Sequence, residues 1–162
     1  MITQNRLKEL LLYRPETGVF TWVRPQSNRV KLGAAAHSVG SGGYLRLGVD
    51  GERYLAHRLA WLYVYGQMPD SEIDHINQNK TDNRIVNLRL ATRRENAQNV
   101  KTRATNKSGA KGVSWDVDRK KWRAQINIDG KRKYLGLFST VQDAAEAYNL
   151  MATTHHTHRS AP

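Results

Sequence analysis

The chain has 162 residues, no cysteine, and 26 Lys and Arg against 14 Asp and Glu, for a formal net charge of +12. That length allows one compact domain or two very small ones. The missing thiols exclude disulfide staples and a thiolate zinc knuckle, and the cationic excess calls for a polyanionic partner, nucleic acid before an anionic membrane. With no apolar run of about 18 residues and no basic amphipathic helix, no membrane partner is expected. The opening MITQNRLKEL lacks the apolar stretch of a secretory signal, so a cytoplasmic protein is the default. Residues 1–50 carry 7 basic and 3 acidic groups, residues 51–100 carry 7 and 6, and residues 101–162 carry 12 and 5. A nearly neutral centre holds the carboxylates, and the basic arms suit phosphates.

In chain order, residues 3–13 read as a short helix with Leu7, Leu10 and Leu11 at helical spacing. Residues 19–22 are β-branched and aromatic and predict a strand, and residues 25–43 predict an extended loop or irregular hairpin. Residues 43–49 alternate, Asp50-Gly51 is a hairpin turn, and residues 52–55 return. Residues 56–65 follow as a helix stopped by Gly66 and Pro69. A strand over 72–76, a polar loop and a strand over 88–91 lead to Thr92, which with Glu95 forms a capping box for a helix ending near Val100. Residues 101–107 read as a basic linker.

Beyond the linker, residues 111–117, 121–128 and 131–138 predict three antiparallel strands. Trp122, Ala124, Ile126 and Ile128 share one face, and Arg123, Gln125 and Asn127 share the other. Thr140 caps a final helix whose Ala144, Ala147, Tyr148 and Met151 would cover the apolar face. The tail from Thr153, with His155, His156 and His158, reads as unstructured. The fold class is therefore α+β, divided into a β-rich extension (1–53), a core unit (54–100), the linker (101–107), a sheet-plus-helix domain (108–153) and a tail (154–162).

Residues 54–99, from YLAHRLAW through EIDHINQNKTDNRIVNLRLATRRENAQN, resemble the HNH endonucleases with their ββα-metal fold. Asp74-His75 end the first strand, Asn87 precedes the second, and Asn96 lies on the helix. Cleaving a phosphodiester at neutral pH needs a base for water, an electrophile and help for the leaving oxygen. A neutral His suits the first task, and a divalent cation on hard oxygen ligands suits the others. The resemblance implies His75 as general base, Asn87 orienting its ring, and Asp74 with Asn96 holding one cation, Mg²⁺ or Mn²⁺. His57 is expected to pack structurally, Asp82-Asn83 to shape the loop, and Arg58, Arg93 and Arg94 to contact phosphates.

Residues 108–152, with KGVSWD, KWRAQI, KYLGLF and the AAEAYN helix, resemble the ethylene-response-factor or APETALA-type DNA-binding domain. That resemblance implies a sheet lying in the major groove of double-stranded DNA, with Lys111, Ser114, Arg123, Gln125, Asn127, Arg132 and Tyr134 facing the bases. Ser114 and Asn127 stand where Arg is usual, and Tyr134 where Trp is usual, so the plant target sequence does not carry over. The pairing of the two parts resembles bacteriophage-borne HNH endonucleases of the homing type, which nick or cut both strands, and a monomer is expected, with a dimer as the alternative. The competing readings are a DNA-binding regulator that retains the HNH unit as a scaffold and a structure- or RNA-directed nuclease.

Overall fold

The computed structural model describes residues 1–99, 102 and 105–156. The chain divides into two compact units, Met1–Asn96 and Ala97–Pro162. No helix among the described residues is long and apolar enough to cross a membrane.

The first unit opens with α1 (Gln4–Leu10), started by Thr3, whose hydroxyl accepts from the Arg6 amide at 3.3 Å. The helix stops three residues earlier than the leucine spacing predicts. Leu11 is extended at φ −133° because it begins β1 (Leu11–Arg14), which pairs with β2 (Val19–Trp22) in the register Leu11↔Trp22. Cross-strand pairing overrides the local helical pattern at Leu11, Leu12 and Tyr13. A three-stranded sheet follows: β3 (Ser38–Val39), β4 (Leu45–Val49) and β5 (Glu52–Leu55), with β4 in the middle. Asp50 and Gly51 turn β4 into β5 with φ of 50° and 79°, the double left-handed geometry of a tight hairpin. The predicted irregular hairpin over 25–43 contains only β3 and a single 3₁₀ turn at Ser41–Gly43.

Helix α2 (Ala56–Tyr65) ends on Gly66, whose left-handed φ of 82° lets its amide reach the Leu62 carbonyl. Strands β6 (Glu72–His75) and β7 (Leu88–Ala91) form an antiparallel hairpin in the register Asp74↔Arg89, and α3 (Arg93–Gln98) follows. The capping box forms. The Thr92 amide and hydroxyl both donate to Glu95 Oε2 at 2.8 Å, and the Glu95 amide donates back to the Thr92 hydroxyl at 3.3 Å.

One apolar core runs through this unit. Leu7, Leu10, Leu11, Phe20, Leu47 and Leu59 are at most 1% exposed, and they share a cluster with Ile73 and Leu88 of the β6–β7 hairpin. Burying each such side chain contributes about 1.5–3 kcal/mol. Leu7, Leu10, Leu11, Phe20, Leu45 and Leu47, all within residues 1–53, thus share one core with α2 and the hairpin.

The second unit holds β8 (Val113–Asp116), β9 (Lys121–Ile128), β10 (Lys131–Phe138) and α4 (Val141–His155), with β9 central. Val113, Ala124, Ile126 and Ile128 are buried with Ala144, Tyr148 and Ala152 of α4. The Thr140 hydroxyl caps α4 by accepting from the Asp143 amide at 3.1 Å. The helix continues through His155, so residues 153–155, expected to open an unstructured tail, are helical. His158 and the rest of residues 157–162 lie outside the described residues, as do the predicted helix end at Val100 and linker positions 101, 103 and 104.

Candidate active site

The β6–β7 hairpin sorts its side chains by alternation. Glu72 and Asp74 project to one face, and Ile73 and His75 to the other. On the second face the His75 ring is 4% exposed and enclosed by neighbours from three other segments. His57, on α2, stands edge-on to it with centroids 5.1 Å apart and an interplanar angle of 89°. Tyr44, just ahead of β4, lies 5.9 Å from His75 and 5.3 Å from His57. The Asn83 amide oxygen accepts from His75 Nε2 at 3.0 Å, and Asn83 is fully buried.

The Asn83 contact determines the tautomer. An amide oxygen only accepts, so Nε2 carries the proton, and the lone pair of the neutral ring resides on Nδ1. The opposite end of the Asn83 amide points its nitrogen at the Thr81 carbonyl, 3.5 Å away, consistent with this orientation. Burial lowers the affinity of His75 for a second proton. The Asn83 bond and the charges of Asp74 and Asp82 pull the other way without restoring it, and Lys80 lowers it further. His57 is pushed down to about 3, by burial first and then by His75 and Arg58. Both imidazoles are therefore neutral near pH 7.

The loop carrying Asn83 is built from asparagines and an ion pair. Asn87 spends its amide within the loop. Its Nδ2 donates to Asn77 Oδ1 at 3.0 Å and to the Asp82 carbonyl at 2.8 Å, while its Oδ1 accepts the Asn77 amide at 3.0 Å. Asn87 ties the two ends of the loop, and Asn83 holds the ring. Arg84 grips Asp82 through Nε and Nη2, and this holds the Asp82 carboxyl down to about 2. The loop is also supported from the first strands. The Tyr13 hydroxyl donates to the Asn83 carbonyl at 2.7 Å, and Gly18 lies directly against the Asn83–Arg84 backbone. Lys80 reaches back to the Gly42 carbonyl at 2.9 Å, with its ammonium 4.7 Å over the Tyr44 ring.

On the other face, the structure pairs the predicted metal ligands with different neighbours. Arg89 donates to Asp74 Oδ2 from Nε at 2.9 Å and from Nη2 at 2.6 Å. Asn96 donates through Nδ2 to Glu72 Oε2 at 2.7 Å, which leaves its amide oxygen as the acceptor. The donors on this face are thus two carboxylates from β6 and one amide oxygen from α3. Among the described residues no group of three or more His, Asp or Glu is clustered for a metal. One or two carboxylates with an amide oxygen is a donor set that fits a small hard cation retaining several waters.

The predicted phosphate contacts are placed unequally. Arg58 is used inside the unit, where its guanidinium donates to the Pro69 carbonyl at 2.7 Å and the Ser71 carbonyl at 3.4 Å. Arg93 and Arg94 are exposed on the first turn of α3. In the second unit, Ser114↔Arg123, Gln125↔Tyr134 and Asn127↔Arg132 are cross-strand partners, so these six residues share the sheet face opposite α4. Arg123 is held by Asp116, and the Lys111 ammonium donates to the Gln98 carbonyl at 2.7 Å. Trp115, half exposed, packs edge-on to Trp122 at 5.1 Å.

In the sequence His57 reads as a packing residue and Asn83 as a loop residue, and neither Tyr44 nor Glu72 stands out. No local signal marks Tyr44, because only the packing of β4 against α2 carries its ring to His75.

Residues 54–98, the segment carrying β6, β7 and α3, match the family model described as HNH endonuclease. The chain is 40% identical over 77 residues to Protein 3.8 of Escherichia phage T7, an alignment covering 47% of this chain and 64% of that protein. It is 36% identical over 98 residues to an uncharacterised HNH endonuclease of Acanthamoeba polyphaga mimivirus, covering 59% of this chain and 50% of that protein. The chain thus spans less than two thirds of the length of these relatives. The DNA-binding and -cleaving HNH homing endonuclease I-HmuI superposes with a TM-score of 0.43 and 22% identity, over 86% of this chain and 78% of that one.

Proposed function

We propose that the chain is a divalent-metal-dependent HNH endonuclease that hydrolyses phosphodiester bonds in double-stranded DNA and is targeted by its C-terminal sheet. The observation that carries this reading is the His75 ring, buried, neutral and locked by Asn83 with its basic lone pair on Nδ1. In this mechanism His75 Nδ1 takes a proton from water. The water oxygen forms a bond to phosphorus, and the phosphorus–O3′ bond breaks with its electron pair on the 3′ oxygen. The 3′ oxygen takes a proton from solvent, the imidazolium returns its own to solvent, and the products are 5′-phosphate and 3′-hydroxyl ends. Asp74 and Asn96, joined by Glu72, would hold the cation, Mg²⁺ or Mn²⁺. When bound it supplies charge neutralisation for the phosphate and the leaving oxygen.

Asn87 acts one step removed, by closing the loop that presents Asn83. In the second unit, Gln125 and Asn127 at the centre of the open face, flanked by Arg123 and Arg132, supply the bidentate groups that read base edges in a major groove. Ser114 and Tyr134 complete that surface, while Lys111, Arg93 and Arg94 are assigned to the phosphate backbone.

A plasmid-relaxation assay with Mg²⁺, Mn²⁺ or EDTA tests the reading. Supercoiled DNA converts to open circles in wild type. EDTA and Asn96→Ala abolish conversion, and His75→Ala lowers it by at least a factor of about 10² while binding persists. Absence of metal-dependent cleavage on plasmid and phage genomic DNA, with tight binding retained, would make the chain a DNA-binding regulator.

A further inference from the structure

The sheet formed by β3, β4 and β5 has a buried face and an open one. Leu45, Leu47 and Val49 point into the core, so Arg46 and Gly48 face outward, together with Ser38, which pairs with Arg46, and Arg53, which pairs with Gly48. Two clefts meet on this open face and share Arg46. One, of about 470 Å³, is lined by Arg29, Lys31, His37 and Arg46 among others. The second, of about 430 Å³, runs from Ser38–Ser41 past Arg46 to Arg53. Neither cleft is lined by a carboxylate. The neighbouring Asp50 is taken up by Arg6 and Gln26, and among the described residues Arg29, Lys31, Arg46 and Arg53 form no ion pair.

Of these cations, Arg46 carries a buried donor without an acceptor. Its Nη2 donates to the Ser41 hydroxyl at 3.2 Å, whereas its Nε is sealed from solvent without an acceptor. The side chain has room to lie there because position 40 is glycine, and a Cβ at Gly40 would come within 2.6 Å of the Arg46 side chain. At Gly48 a Cβ would meet nothing within 4 Å, so the cleft floor is open there. A guanidinium never loses its charge at ordinary pH, and one left short of acceptors in an acid-free cleft is matched by an oxyanion.

The same strand leads to the catalytic histidine. Tyr44, whose ring packs on His75, lies two residues before Arg46 on the same side of an extended backbone. That is on the order of 7 Å, about two base-pair rises of a duplex. We infer that the open face of β3–β4–β5, with Arg29, Lys31, Arg46 and Arg53, is a binding groove for the phosphate backbone of the duplex next to the bond that is cut. The inference rests on the reading of the chain as a DNA enzyme, but it concerns binding and not cleavage.

The test is a fluorescence-anisotropy titration of the full chain on a short labelled duplex, in EDTA, at several salt concentrations. Arg46→Gln/Arg53→Gln and Arg29→Gln/Lys31→Gln are compared with Lys8→Gln/Arg14→Gln, which removes the same charge from residues that line neither cleft. Each groove variant should lower the slope of log affinity against log salt by about 0.9 per lost contact, so by about 1.8, equally on unrelated sequences. Circular dichroism melts that match wild type verify that each variant is folded. Slopes equal to wild type, or the same loss in the Lys8/Arg14 control, would overturn the groove. Retained metal-dependent nicking in those variants would show that the nuclease reading stands without it.

Discussion

At the scale of single residues, the site depends on which amide meets which ring. Asn83 and Asn87 lie in one loop, yet one fixes a tautomer and the other fixes a backbone. Asn83→Ala removes the acceptor of His75 Nε2 and leaves a buried N–H unpaired, a cost of about 1–3 kcal/mol. Its cleavage rate should fall by a factor of ten or more with DNA affinity unchanged, because the ring is free to adopt the tautomer with its proton on Nδ1. Single-turnover cleavage and anisotropy on the same preparation check this, and equal rates would show that the ring needs no such partner. Asp74 and Asn96 show the same dependence on neighbours. The resemblance to HNH endonucleases implies them as oxygen donors, while the bonds to Arg89 and Glu72 appear only once β6, β7 and α3 are assembled.

Among the elements, the β1–β2 hairpin is the least obvious contributor to the site. The Tyr13 hydroxyl donates to the Asn83 carbonyl across 70 positions of sequence, and Gly18 touches the backbone that follows. Gly18 has φ of +72°, and a Cβ there would stand 2.4 Å from the Arg84 amide nitrogen and 2.5 Å from the Asn83 carbonyl carbon. Neither atom is a flexible side-chain tip. Gly18→Ala should therefore cost at least about 2 kcal/mol, from left-handed strain together with the forced backbone shift. It should also lower cleavage by moving Asn83, which holds His75. Urea titration and the relaxation assay read the two effects, and a variant as stable as wild type would refute the close contact. The helices behave more locally. The Thr92–Glu95 box and the Thr140 cap form as their sequences predict, because a cap needs only residues within one turn.

For the molecule as a whole, the two buried histidines link folding to pH. The folded-state affinity of His57 for a proton lies near 3, against about 6.5 for an exposed imidazole. The unfolded chain therefore binds more protons between those values, so stability is full above about pH 6.5 and falls as the pH drops toward 3. His75 is shifted in the same direction and adds to the loss. For His57 alone the slope approaches 1.36 kcal/mol per pH unit in that window. His57→Gln should make the acid limb shallower by about one proton, as read from urea midpoints of the first unit's transition between pH 7 and pH 4.5. An unchanged acid limb would mean that His57 is protonated in the folded state.

The sequence by itself was enough to divide the chain into a core that carries Asp74, His75, Asn87 and Asn96 and a later sheet that carries Arg123, Gln125 and Asn127. It was enough because alternation, turn residues and caps are short-range rules, and the order of the site residues along a hairpin and helix is preserved in space. Tertiary structure alone decided where α1 ends, that residues 1–53 form the floor of the core, and that Asn83, His57 and Tyr44 surround His75. It also decided that Arg46 and Arg53 share one open face with Arg29 and Lys31. These are contacts between segments distant in sequence, set by burial of leucines and rings on a shared core, and no periodicity within any one segment encodes which distant ring, amide or guanidinium will arrive there.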